Sequence, residues 1–354
     1  AYTNPQAYEP GLAASYNNLG VLYSDIQRFS DSEQMYNSAL KIYKCLAVTN
    51  PQAYEPNLAI SYNSLGILYH DTHRFSDSEQ MHQLALEIYK RLADENPQVY
   101  EPSLVASYNN LGVLYRDNHR FSDSEQMHRL ALKIRKRLAY TNPQAKEPGL
   151  AASYNNLGVL YSDMQRFTDS EQMHQLALEI YKRLAGANPQ VYDSDLADSY
   201  SNLGLLYSDM QRFAESEQMY NSALEIYKRL MGENAHFYGQ RLANCLFLLA
   251  ELQVKQEKYA EAISPLEKAL DFYKKEAEQG KSIDYYTEAM LLLHQLYSQE
   301  KKYSRAYQCF KQNIPLLKTL YQSDNGNYTE LLNDIFVSQS FYSIFEKQYT
   351  EAEN

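Results

Sequence analysis

The residues of this sequence best equipped for chemistry recur at a fixed spacing. His82, His128 and His174 stand 46 residues apart in similar contexts, and three imidazoles could begin a zinc site. Zinc needs its nitrogens about 2.0–2.1 Å away, whereas equivalent positions on successive helices start from axes about 8–10 Å apart. Tyr36 and Tyr220 fill the same slot elsewhere in the chain, so packing is the expected role and no metal or cofactor is expected. His70, His73 and His119 read as turn or surface residues. Cys45, Cys245 and Cys309 lie far apart with no CxxC spacing, which suggests neither zinc nor a disulfide framework and favours a reducing, cytoplasmic compartment. Acidic pairs such as Asp31 and Glu33 recur at the start of a helical pattern, where the helix dipole favours them. No GxGxxG, P-loop, GxSxG or HExxH motif occurs, so no catalytic residue is nominated and an enzyme is the least expected class.

Asparagine offers a different chemistry. Its side chain presents one donor and one acceptor group, as a peptide bond does, so a row of asparagines can hold an extended segment by its backbone. Asn18, Asn110, Asn156 and Asn202 stand in register at multiples of 46, with Ser64 between the first two. Asn17, Asn63, Asn109 and Asn155 precede them by one residue. Val21, Ile67, Val113, Val159 and Leu205 form a parallel apolar row, and Asp25, Asp71, Asp117, Asp163 and Asp209 an acidic one. Two readings stay open. The amides bind a partner, or they bridge adjacent helices and face water. The aspartates have a bland alternative as well, since Arg28, Arg74, Arg120, Arg166 and Arg212 follow three residues later and could pair with them at about 0–1 kcal/mol each.

The elements that must position these rows are repeats. Asn-Pro-Gln recurs with Pro5, Pro51, Pro97, Pro143 and Pro189, a step of 46 residues. Residues 1–234 form five near-identical units, and 235–354 hold a diverged sixth and seventh and a truncated eighth opening at Tyr349, in one continuous array. In the first unit Leu12, Tyr16, Leu19 and Tyr23 fall on one helical stripe, the core face of a helix A. Gly20 beside it allows a neighbouring helix close approach. A second helix B carries Phe29, Ala39, Leu40, Tyr43 and Leu46, and Ser30 to Glu33 reads as its capping box. The run Asn50 to Pro56 is expected to break the chain, with Pro56 in the first turn of the next helix A. Pro265 and Pro315 fall inside B helices, where each removes a hydrogen bond.

The run Tyr16-Asn17-Asn18-Leu19-Gly20-Val21-Leu22-Tyr23, followed by Arg28-Phe29, Ser32 and Ala39-Leu40, resembles the tetratricopeptide pattern. Its longer period and Asn-Asn-Leu run are most similar to kinesin-light-chain-type repeats. Departures are the serines at Ser32, Ser78, Ser124, Ser170 and Ser216 where the family usually has alanine, and His294 in place of the helix A glycine in the seventh unit. The resemblance implies an all-α fold, a right-handed α-α superhelix of tandem helix-turn-helix repeats whose A helices line a concave groove. It also implies a protein- or peptide-binding scaffold.

A formal net charge of −11 argues against nucleic acid and for a neutral or basic, extended polypeptide partner. No apolar run approaches the 18 or so residues of a membrane span. The first residues repeat an internal sequence and the last open a helix, as a piece of a longer array would, so a signalling protein with this array as its sensor is an alternative. Self-association through the array ends, giving a homo-oligomer, is another. In the sixth and seventh units the asparagine positions become Phe247, Leu248, Leu291 and Leu292, a greasy surface expected to be covered by a following helix or another chain. Asn327-Tyr328-Thr329 forms a lone glycosylation sequon.

Overall fold

A computed structural model describes residues 5–279 and 282–322; the sequon at Asn327 and the truncated unit at Tyr349 lie outside them. Among the described residues there are fourteen α-helices and no strand. The odd-numbered A helices are α1 (Pro5–Asp25), α3 (Pro51–Asp71), α5 (Pro97–Asp117), α7 (Pro143–Asp163), α9 (Pro189–Asp209), α11 (Ala235–Lys255) and α13 (Ile283–Gln299). The B helices are α2 (Phe29–Thr49), α4 (Phe75–Glu95), α6 (Phe121–Thr141), α8 (Phe167–Ala187), α10 (Phe213–Glu233), α12 (Tyr259–Ala277) and α14 (Tyr303–Gln322). They gather into two compact units, one ending at Ile180 and the other starting at Tyr181, so the division falls inside α8.

In the first unit α1–α2, α3–α4 and α5–α6 form hairpins, each B helix packs on the next A helix, and α1 touches α3 as α3 touches α5. The A helices therefore lie side by side. The second unit repeats the scheme with α9–α10, α11–α12 and α13–α14. The expected core stripe is buried in α3 as Leu58, Tyr62, Leu65 and Tyr69. In α1 the equivalent Leu12 and Leu19 are 46% and 38% exposed, because no described hairpin packs on that side of them.

Two connections build every hairpin. Within a hairpin the A helix closes through a left-handed residue, at Gln27, His73, His119, Gln165, Gln211, Glu257 and Lys301, with φ between 55° and 61°. Arg74 N–H donates to the Tyr69 carbonyl at 2.7 Å and His73 N–H to that of His70 at 2.9 Å, the Schellman pairing that satisfies the last carbonyls. Between successive hairpins up to α11 the connection is one residue, whereas residues 278–282 separate α12 from α13. Asn50 N–H donates to the Leu46 carbonyl, ending α2, while its side-chain Oδ1 accepts from Ala53 N–H at 3.2 Å, starting α3.

Two expectations about helix starts are corrected. The run from Asn50 to Pro56 is no linker: α3 begins at Pro51, and Pro56 sits inside it. Pro51 suits the first helical position, and only the exposed Gln52 carbonyl loses a partner to Pro56, where water can reach it. The capping box is not formed either, since α2 begins at Phe29 without a side-chain cap. Ser32 is fully buried and donates to the Gly20 carbonyl at 2.7 Å, and Ser78, Ser124, Ser170 and Ser216 do the same to Gly66, Gly112, Gly158 and Gly204. The serines thus tie the two helices of each of these five hairpins together at the helix A glycine.

Glu33 is drawn away from the cap by the following hairpin, where it accepts from Tyr69 Oη at 2.8 Å and pairs with Arg74 at 2.9 Å. Glu79 does the same with Tyr115 and Arg120, and Glu125 with Tyr161 and Arg166. Each arginine also lies over its tyrosine ring, at 4.0 to 4.3 Å from the centroid. In the second unit Phe247, Leu248, Leu291 and Leu292 are half-buried against the core formed around Tyr273 and Leu293. The greasy surface expected there is largely consumed by the unit's own packing: Phe247 meets the Tyr273 ring edge-on.

Candidate functional site

The rows singled out from sequence separate into two kinds of residue. Asn17 Nδ2 donates to Ser61 Oγ at 2.7 Å and Asn63 Nδ2 to Ser107 Oγ at 3.1 Å, tying one A helix to the next. The carbonyl oxygens of Asn63, Asn109 and Asn155 lie 3.0, 3.3 and 3.1 Å from Nδ1 of His82, His128 and His174. Because Asn63 Nδ2 is already donating, its oxygen must be the acceptor, which places the proton of His82 on Nδ1. This row is engaged in holding helices together. The serine acceptors were not singled out from sequence, although Ser15, Ser61, Ser107, Ser153 and Ser199 recur at the same step.

The second row faces outward. Asn18 is exposed and Ser64, Asn110 and Asn156 are half-buried, as is Asn202 in the second unit. Among the described residues, no protein group hydrogen-bonds to the side chains of Asn18, Asn110, Asn156 or Asn202. One turn on, Val21 and Ile67 are each 47% exposed, Leu205 is exposed, and Val113 and Val159 are half-buried. In the first unit these side chains form a free amide row flanked by an aliphatic one on adjacent A helices.

The acidic row behaves differently from the expected Asp–Arg pairing three residues apart. Arg28 pairs instead with Asp31 at 2.7 Å, and Arg74, Arg120 and Arg166 with Asp77, Asp123 and Asp169, because the left-handed turn carries each arginine onto the start of helix B. Asp117 is bound by Arg116 at 2.8 Å and by His70 Nε2 at 2.9 Å, and Arg116 also reaches Asp163 at 3.6 Å. In the second unit Lys255 lies 3.4 Å from Asp209. Asp25 and Asp71 stay exposed, so one end of the acidic row keeps its charge outward. His70 and Arg116 were missed as neutralisers because serine holds the equivalent positions 24, 162 and 208; only their departure from the repeat marks them.

The three buried histidines fill notches. A Cβ on Gly66, Gly112 or Gly158 would lie 2.6 to 2.7 Å from the imidazole of His82, His128 or His174, and Gly20 and Gly204 bear the same relation to Tyr36 and Tyr220. Burial pushes the pKa of each of these histidines down to about 4. No group of three or more metal-ligating side chains occurs among the described residues, and none of their helices is long and apolar enough to cross a membrane.

One tetratricopeptide-repeat model matches residues 12–44, 58–98, 104–139 and 150–190, and a second matches 195–275. No curated protein matches the chain significantly. Among solved structures the chain is similar to BtubC (BKLC) from P. vanneervenii, with 22% identity and a TM-score of 0.54 over 68% of this chain and 89% of that one. It is similar too to a signal transduction ATPase with numerous domains (STAND) bearing a tetratricopeptide repeat sensor, from Pyrococcus horikoshii, with 15% identity and a TM-score of 0.56. That match covers 96% of this chain and 49% of the other. At such identities the likeness is one of fold.

Proposed function

The chain belongs to the tetratricopeptide-repeat family, whose members act generally as protein- and peptide-binding scaffolds, and from that premise we propose that it captures an extended polypeptide along its A helices. The carrying observation is the row of Asn18, Asn110 and Asn156 amides, which are left without protein partners while the asparagines one residue earlier are bonded. Free amides can pair with the peptide groups of an extended chain, and the Val21, Ile67, Val113 and Val159 row beside them would accept its side chains. By the family resemblance this face would line a concave groove. Asp25 and Asp71 at the exposed end favour a neutral or basic partner. The 46-residue period supports a kinesin-light-chain-like placing within the family.

The test is capture from lysate by the immobilised chain, with the retained proteins identified by mass spectrometry. Asn110→Glu together with Asn156→Glu should lose the captured polypeptide while helicity and melting stay unchanged. Full-strength capture by the double variant would remove the amide row from the binding face.

A second reading, a sensor array within a larger signalling protein, is favoured by the likeness to the STAND protein with its repeat sensor. A full-length reading frame with an ATPase domain beside the repeats would support it, and one without any signalling domain would end it.

A further inference from the structure

Helix α6 departs in charge from the B helices α2, α4, α8, α10 and α12. It carries five cations, Arg129, Lys133, Arg135, Lys136 and Arg137, against the two carboxylates Asp123 and Glu125. Helix α4, in the preceding hairpin, inverts that balance, with Lys90 and Arg91 against Asp77, Glu79, Glu87, Asp94 and Glu95. Three of the differences, at Arg129, Lys133 and Tyr140, fall on one side of the helix, where Lys136 completes a stripe. Arg129, Lys133, Lys136 and Tyr140 follow at i, i+4, i+7 and i+11, and all four are exposed, Arg129 by 61% and Tyr140 by 89%. In α4 the same positions hold Gln83, Glu87, Lys90 and Asp94.

Only part of this charge is neutralised within the chain. Arg129 pairs with Glu125 at 2.7 Å and Arg137 with Glu101, while Lys136 lies 5.6 Å over the Tyr154 ring. Among the described residues Lys133, Arg135 and Lys136 have no ion pair. Arg135 stands where Tyr89 and Tyr181 stand in the neighbouring repeats, half-buried against Gly149 of α7, and its Nε is buried without a hydrogen-bond partner. Burial lowers its pKa with no anion acting the other way. Lys146 also replaces the tyrosine of other units, Tyr54 and Tyr100, at the start of α7. A solvated charge face would need no such change at the three exposed positions Arg129, Lys133 and Tyr140 and at the half-buried Arg135 and Lys146 of a single hairpin junction.

We propose that the outer face of α6 is a docking surface for an acidic polypeptide segment, separate from the amide row of the A helices. Rise along the helix sets Arg129, Lys133 and Lys136 about 6 and 4.5 Å apart, and alternate residues of an extended chain are about 6.6 Å apart, so successive carboxylates can meet successive cations. Tyr140 offers an exposed aromatic anchor at one end of the stripe. Nucleic acid is the weaker fit, because a phosphate backbone extending past one helix would meet Glu87 and Glu179 at the matching positions of α4 and α8 on a chain of net charge −11.

The test measures fluorescence anisotropy of a fluorescein-labelled peptide of alternating glutamate and serine, titrated with the whole chain at low salt. The comparison variant combines Arg129→Gln, Lys133→Glu and Tyr140→Asp, residues that α4 already accommodates at these positions, so the hairpin should still fold; circular dichroism checks this. Wild-type chain should bind at least about tenfold more tightly than the variant, with affinity falling as salt rises. A glutamine-for-glutamate peptide should not bind. Equal binding by wild type and variant, or equal binding of the neutral peptide, overturns the proposal, and so does a single-stranded oligonucleotide that displaces the acidic peptide at lower concentration. Sedimentation of the chain alone completes the test: a salt-sensitive dimer abolished in the variant would make a second copy the occupant and overturn the assignment to a separate segment.

Discussion

The His128 imidazole rests on bare backbone at Gly112, with a fully buried serine hydroxyl, Ser124, bonded to the same glycine's carbonyl at 2.7 Å. This is why a glycine is retained in mid-helix, where alanine would otherwise gain about 1 kcal/mol of propensity. Gly112→Ala would force a Cβ to 2.6 Å from a ring that is only 1% exposed. Overpacking of this kind costs about 1–3 kcal/mol, so the variant should unfold at lower urea despite its better helix former. In a His128→Ala background the same change should become neutral or favourable. If Gly112→Ala stabilises the otherwise unaltered chain, the notch is not tight.

At the scale of elements, each A helix ends on a residue with a side chain in a conformation that suits glycine. His119 has φ of 55°, and an L residue there carries about 1–2 kcal/mol of strain. Its ring contacts Phe121 edge-on at 5.9 Å, which recovers part of this. His119→Gly should therefore raise the urea midpoint slightly, by about 0.5–1 kcal/mol in stability, and a loss would mean that the Phe121 contact outweighs the strain. The hairpins themselves were legible from the 46-residue step and the stripe of Leu58, Tyr62, Leu65 and Tyr69, because burial imposes a helical period on residue type. The helix starts were less so. Pro56 and Ser30 match helix-start preferences, yet Asn50 and Pro51 open α3 while α2 starts at Phe29 with no side-chain cap, and local sequence does not reveal that Ser32 and Glu33 are claimed by Gly20 and by Tyr69 and Arg74. Of the two asparagine rows only the three-dimensional partners, Ser61, Ser107 and the histidines, tell the bonded row from the free one.

For the molecule as a whole, the histidine notches make the first unit sensitive to acid. His82, His128 and His174 have pKa values near 4 in the folded chain against about 6.5 when unfolded. The unfolded chain therefore binds more protons between these values, and stability present above about pH 6.5 is lost as pH falls toward 4. Each site contributes up to about 3 kcal/mol to that loss. Protonation would place a charge on a ring that burial has largely withdrawn from water. A chain with His82→Tyr, His128→Tyr and His174→Tyr, the residue type at Tyr36 and Tyr220, should show a flatter fall of urea midpoint between pH 7 and pH 4.5. An unchanged slope would mean that the carboxylates dominate the acid response.

The single-asparagine junction has a consequence for how such a chain can change length. Asn96-Pro97 and Asn142-Pro143 are the same dipeptide, each standing between the end of one B helix and the first residue of the next A helix. Excising 97–142 would bring Asn96 against Pro143 and regenerate the same junction, with no scar residue and no shift of helical phase. Duplication of that stretch would do likewise. Recombination between misaligned copies can therefore lengthen or shorten the array by whole hairpins while preserving every connection in it, and repeats this alike at the sequence level are a substrate for that exchange.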